Sequence, residues 1–144
     1  MTTLSATASA AQARSPAPGP VPGNYTVYGE YTTSASLSVG DVVHMVKVPM
    51  GMRITNVSVE VSGNIAGSQF NVDVGDGNAT DRFMDSLSLL NGRTDTIKQG
   101  LGYVYSAASS TQVDTIDIVP TVASSITSVM TLKLAVSGFI DPNP

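Results

Sequence analysis

The chain has 144 residues, a formal net charge of −4 from 7 Lys+Arg against 11 Asp+Glu, and only 12% charged side chains. This length fits one domain of ordinary size, and the 42% hydrophobic content supplies a core without disulfide or metal staples. So few cations make a poor ligand for nucleic-acid phosphates; the lack of Cys removes disulfide, thiolate-metal and Cys-nucleophile chemistry; and the lone His, His44, leaves no multi-His metal centre.

Residues 1–23 read as an extended N-terminal arm. Residues 1–13 are small and polar, with Leu4 their one large aliphatic side chain, and Arg14 is the only charge in the segment. Prolines then alternate at Pro16, Pro18, Pro20 and Pro22. Each fixes φ near −65° and lacks an amide donor, which favours a polyproline-like strut. Ala11-Gln12-Ala13 has the spacing of a signal cleavage site, but no basic and apolar regions precede it, so a signal peptide is not expected. The composition fits either a disordered tail or an arm that orders on a neighbour.

Residues 24–144 read as a β-domain. Val42–Val48 is apolar on both parities, as in a central or doubly covered strand. Val57, Val59 and Val61 alternate with Asn56, Ser58 and Glu60, and Phe70, Val72 and Val74 alternate with Asn71 and Asp73. Asp81–Leu87 has room for a short turn of helix. Tyr103–Tyr105 and Val113–Val119 read as further strands. Leu132, Leu134, Val136 and Ile140 share one parity, with Lys133 and Ser137 on the other. A period of two marks strands with one buried face. Turn residues lie between them at Gly40-Asp41, Pro49–Gly51, Gly63-Asn64, Gly75–Asn78, Asn91-Gly92 and Gly100–Gly102. Short strands, frequent turns and no long helical period predict an all-β antiparallel sandwich.

Three constellations invite a chemical reading. Asp73-Val-Gly-Asp-Gly-Asn-Ala-Thr-Asp81 has carboxylates on a Gly-rich loop, as a Ca²⁺ site needs, but lacks EF-hand spacing. A tight turn accounts for the same residues, so Asp73, Asp76, Asn78 and Asp81 are assigned to turn chemistry. Arg82, beside Asp81 and Phe83, is expected to pair with a carboxylate and stack on an aromatic ring. His44 lies mid-strand and is expected to be half-buried. Serines and threonines abound, but no Gly-x-Ser-x-Gly elbow, Walker motif or Gly-x-Gly-x-x-Gly is present. No catalytic, cofactor-binding or metal-binding residue is therefore assigned, and no enzymatic activity is expected.

The middle of the chain resembles a group of small tailed-bacteriophage virion proteins, the head decoration or cement proteins. The resemblance runs from about Val39 to Ile140. It rests on Gly40-Asp-Val-Val-His-Met-Val-Lys-Val-Pro-Met-Gly-Met-Arg-Ile54, Val72-Asp-Val-Gly-Asp-Gly-Asn-Ala-Thr-Asp-Arg-Phe-Met-Asp85, Thr115–Ile118 and Thr131–Val136. Val-Asp-Val-Gly-Asp-Gly…Asp-Arg-Phe is its most specific element. The resemblance implies a jelly-roll-type sandwich, a trimer, the major capsid protein as partner and a place on the outer face of the virion. The sequence independently favours a homo-oligomer. A surface tiled with Ser, Thr, Asn, Gly and Ala loses little rotamer entropy and little charge hydration on burial. Neither nucleic acid nor membrane is expected as a partner. The alternative reading is another virion module, a fibre base or a host-adhesion domain that binds glycan.

Overall fold

The computed structural model of the chain describes residues 3–5, 23–33, 37–49, 51–63, 70–89, 94–96, 100–105, 115–123 and 129–140. The strands are β1 (Thr3–Ser5), β2 (Gly23–Thr32), β3 (Val42–Lys47), β4 (Met52–Gly63), β5 (Phe70–Gly75), β6 (Met84–Ser88), β7 (Thr94–Thr96), β8 (Thr115–Ala123) and β9 (Met130–Ile140). They form two sheets, ordered β1-β3-β8-β5-β6 and β2-β9-β4-β7. Without β1, the strands of one sheet are the first, eighth, third and sixth in chain order. Those of the other are the second, seventh, fourth and fifth. This interleaving of two Greek keys is a jelly roll, so the expected all-β, jelly-roll-like sandwich is the fold observed.

β9 shows why the sequence folds this way. Met130, Leu132, Leu134, Val136 and Ile140 are buried, and each intervening residue except Gly138 is half-exposed. The strand is paired with β2 on one side and β4 on the other along its whole length. Its buried parity meets Val57, Val59 and Val61 of β4, and the inner faces of β3, β5 and β8 complete one core around Met45, Phe70, Val72, Val74, Ile116 and Ile118. Each such side chain contributes about 1.5–3 kcal/mol when fully buried, which is why the register cannot slip by one residue.

Several elements depart from the sequence reading. β3 is not apolar on two covered faces: a bulge between His44 and Val46 places the consecutive residues Met45 and Val46 both on the core side. Asp81–Leu87 makes no helix. Asp81 ends a turn, and β6 begins at Met84 and pairs with β5. Tyr103–Tyr105 makes a single bridge, Arg53 to Val104, rather than a strand. Two three-residue strands were not anticipated. β7 pairs with β4, and β1, from the segment read as an arm, lies parallel on β3. Residues 6–22, Val113 and the Gly63-Asn64 and Asn91-Gly92 turns lie wholly or partly outside the described residues.

Candidate functional site

The turn Gly75–Phe83 is organised around one carboxylate. Asp76 Oδ1 accepts the backbone amides of Asn78 and Ala79 at 3.0 and 2.9 Å. Arg82 donates from Nε to Oδ2 at 2.5 Å and from Nη2 to Oδ1 at 3.3 Å, and the Tyr105 hydroxyl donates to Oδ2 at 3.1 Å. Asp76 itself is buried. The Arg82 guanidinium lies 3.9 Å over the Tyr103 ring, which meets Tyr105 edge-on at 5.0 Å. The loop is tight enough that a Cβ on Gly75 would fall inside the carbonyl groups of Ala79 and Thr80. Burial by itself would raise the Asp76 pKa. The Arg82 hydrogen bonds, followed by those of Ala79 and Asn78, outweigh it and hold the carboxyl below its ordinary value.

The Arg82 expectation is met in kind, with a partner six residues upstream and an aromatic ring from a distant loop. Asp73 is engaged elsewhere, accepting the Ser86 amide at 2.8 Å. Among the described residues, no three acidic or histidine side chains gather as a metal-ligand set. The loop's chemistry is a fold-locking knot that ties the β5–β6 connection to residues 100–105.

His44 lies on β3, in the same five-stranded sheet as β5. Its Nδ1 lies 2.7 Å from Asp117 Oδ1 and 3.0 Å from Thr115 Oγ1. A carboxylate only accepts, so Nδ1 carries the proton in this contact. Both oxygens meet the same ring nitrogen, whereas a catalytic triad sets the carboxylate on one nitrogen and the nucleophile on the other. The cluster is a cross-strand staple between β3 and β8. Asp117 and Thr115 gave no local signal, because strand pairing across 71–73 residues brings them to His44. His44→Ala removes a charge-assisted bond from a carboxylate that is 4% exposed. The expected loss is about 1–3 kcal/mol, measured by chemical denaturation, with His44→Gln losing less.

The four-stranded sheet also has a regular outer face among the described residues. Cross-strand rows run Thr26–Ser137–Asn56, Tyr28–Ala135–Ser58, Glu30–Lys133–Glu60 and Thr32–Thr131–Ser62. Short side chains are hydrogen-bonded within the face, Thr26 to Ser137 at 3.2 Å and Thr32 to Thr131 at 3.0 Å. Lys133 reaches Glu60 at 3.4 Å. Glu30 and Glu60 are balanced by Lys133 and, further along β4, Arg53. Short, hydrogen-bonded side chains of this kind lose little rotamer entropy and little hydration when they are covered.

Tyr28, on this face, donates to Glu30 at 2.7 Å. That bond first, then desolvation and the charges of Glu30 and Glu60, pushes its pKa up to about 12. The protonated phenol is the form favoured by folding, so its contribution is complete below the unfolded value of 10.0 and is lost as pH rises through about 12. In an alkaline absorbance titration, Glu30→Gln should bring one tyrosine's ionisation back toward 10.

No family model and no curated protein matches the chain. Solved structures do. A chain of the cyanophage Pam1 capsid asymmetric unit is similar with a TM-score of 0.69 at 18% identity, covering 91% of this chain and 96% of that one. A chain of the capsid of Ralstonia phage GP4 has a TM-score of 0.69 at 9% identity, with 98% and 99% covered. A chain of the acid-stable capsid of Helicobacter pylori bacteriophage KHP30 has a TM-score of 0.53 at 20% identity, with 81% and 93% covered. At these identities what is shared is the fold, over nearly the full length of each partner.

Proposed function

We propose that this protein is a structural component of a bacteriophage virion, a decoration or cement protein that binds the outer surface of the major capsid lattice and stabilises the head. One observation carries the reading: the fold likeness spans 93–99% of chains taken from three phage capsids. The surface chemistry supports it. The hydroxyl-rich sheet face suits extended contact, and the Asp76–Arg82 and His44–Asp117 clusters act as internal staples. The protein acts by burying area and does not catalyse. A standard interface of roughly 1,600 Å² suffices for specific docking, and three copies around a closed axis multiply the attachment. Residues 1–23 serve as the arm that joins each copy to its surroundings.

Purified protein is expected to scatter light as a particle of about three chains. Added to heads that lack it, it should co-sediment to saturation and raise the temperature at which they release DNA. Absence of binding to the heads, with binding to cells or purified surface glycan instead, overturns the decoration reading in favour of an adhesion module.

A further inference from the structure

We infer that the outer face of the four-stranded sheet pairs with the same face of a second copy of this chain, across a twofold axis parallel to the strands and midway between β2 and β9. The inference goes beyond the proposed function and does not rest on capsid docking. Two central rows of the face carry it. In one, Glu30, Lys133 and Glu60 stand side by side on β2, β9 and β4; in the next, Tyr28, Ala135 and Ser58 do. All lie on the parity opposite the buried residues of their strands. Tyr28 is 41% exposed, a large ring beside a single methyl group.

Such an axis brings the partner's β9 over β2 and the partner's β2 over β9, and keeps each row at its own height. Glu30 then faces the partner's Lys133, and Lys133 faces the partner's Glu30. Opposite charges meet twice, because a twofold contact is made in duplicate. In the next row Tyr28 lies over the partner's Ala135, where a methyl group leaves room for a ring. Hydroxyls meet on either side, Thr26 over the partner's Ser137 and Thr32 over the partner's Thr131. Other placements fail one of the two central rows. An axis through β9 sets Lys133 on the partner's Lys133, a like-charge contact that opposes docking. An axis between β9 and β4 matches Lys133 to the partner's Glu60 but leaves Tyr28 outside the overlap. Within one chain, Lys133 reaches Glu60 at 3.4 Å and Tyr28 donates to Glu30 at 2.7 Å. A second copy therefore brings Glu30 a cation that its own chain commits to Glu60. Facing sheets cross at about 30°, so the match holds over the central rows. Two strands and four rows overlap by roughly 10 Å by 20 Å, well short of the ~800 Å² per partner of a standard interface. The pairing is weak between free chains and strong where copies are held side by side at high effective concentration.

Sedimentation velocity of the purified chain, from micromolar to millimolar, reads the pairing. The particle should grow in whole multiples of its dilute mass, and added salt should reverse the growth. Ala135→Glu fills the seat of the ring and should weaken self-association by about tenfold or more. Reversing the whole row, Glu30→Lys with Lys133→Glu and Glu60→Lys, keeps its alternation of charge. That variant should associate with itself but not with the natural chain, and it decides the matter even where Ala135→Glu does not fold. A mass that stays constant over the range overturns the pairing, as does undiminished growth in folded Ala135→Glu. So do folded row-reversed chains that join the natural chain or fail to join one another. Constant mass with loss of head binding in Ala135→Glu assigns the face to the capsid instead. Failure of the natural chain to co-sediment with heads defeats capsid docking and leaves the pairing standing.

Discussion

Arg82→Ala is expected to be among the most damaging single substitutions, costing about 3–5 kcal/mol, the range for stripping one partner from a buried ion pair. Asp76 keeps its two turn amides and the Tyr105 hydroxyl, but a carboxylate with a fully buried side chain then faces no cation. The Tyr103 ring loses its guanidinium at the same time. Against a total of roughly 5–15 kcal/mol for a domain, such a loss lowers the melting temperature by roughly 10–20 °C. Arg82→Lys should recover only part, since an ammonium neither forks onto a carboxylate nor stacks as a plane. The pH dependence follows from the sign of the shift. Asp76 is held below its ordinary value of 3.8. Its contribution is therefore complete above about 3.8 and is lost as pH falls further, through the folded value. Asp76→Asn should flatten that acid limb while lowering stability at neutral pH. An unchanged acid limb in Asp76→Asn would mean that other carboxylates set it.

Leu134→Ala is expected to cost about 2–5 kcal/mol, while Lys133→Ala, one residue away, changes stability by less than about 1 kcal/mol. Leu134 has no exposed surface and lies at the centre of the four-stranded sheet, between Gly29 of β2 and Val59 of β4. The glycine on one flank has no side chain to swing into the space, so the cavity persists and the cost falls in the upper half of the range. Lys133, on the opposite parity, is partly solvated beside Glu60. Equilibrium denaturation of the two variants measures the alternation of β9 directly, and equal losses would contradict the register.

The sequence disclosed the strands whose two faces differ. β4, β5 and β9 each have a buried and a solvated face, so they carry a period of two that survives without any knowledge of neighbours. β1 and β7 carried no such signal, because three residues are too few to display a period and their conformation is imposed by pairing. The helical reading of Asp81–Leu87 failed for a specific reason. Phe83, Met84 and Leu87 have helical spacing, but the Phe83 amide is taken by the Val74 carbonyl at 2.9 Å and Arg82 is anchored to Asp76, which turns the chain into β6. Arg82's need for a carboxylate and a ring was legible from residue type. Its actual partners, Asp76, Tyr103 and Tyr105, were not, since a second loop brings the two tyrosines in from about 20 residues away. His44 was legible as a half-buried strand residue, and its staple to Asp117 only from the β3–β8 pairing.

The position of β9 has a consequence for how this protein is made. The last strand described is also the middle of its sheet, bonded to β2 from near the start of the chain and to β4 from its first half. During synthesis, β2 and β4 emerge with complementary edges and nothing to join them, and the core cannot close until residues 130–140 have left the ribosome. Pairing across such separations is slow, on the scale of milliseconds to seconds for sheet proteins of this kind. In that interval the apolar faces of the early strands are open to one another's copies. The low charge of the finished surface offers little repulsion to keep nascent chains apart, so yield in the cell depends on how quickly β9 inserts.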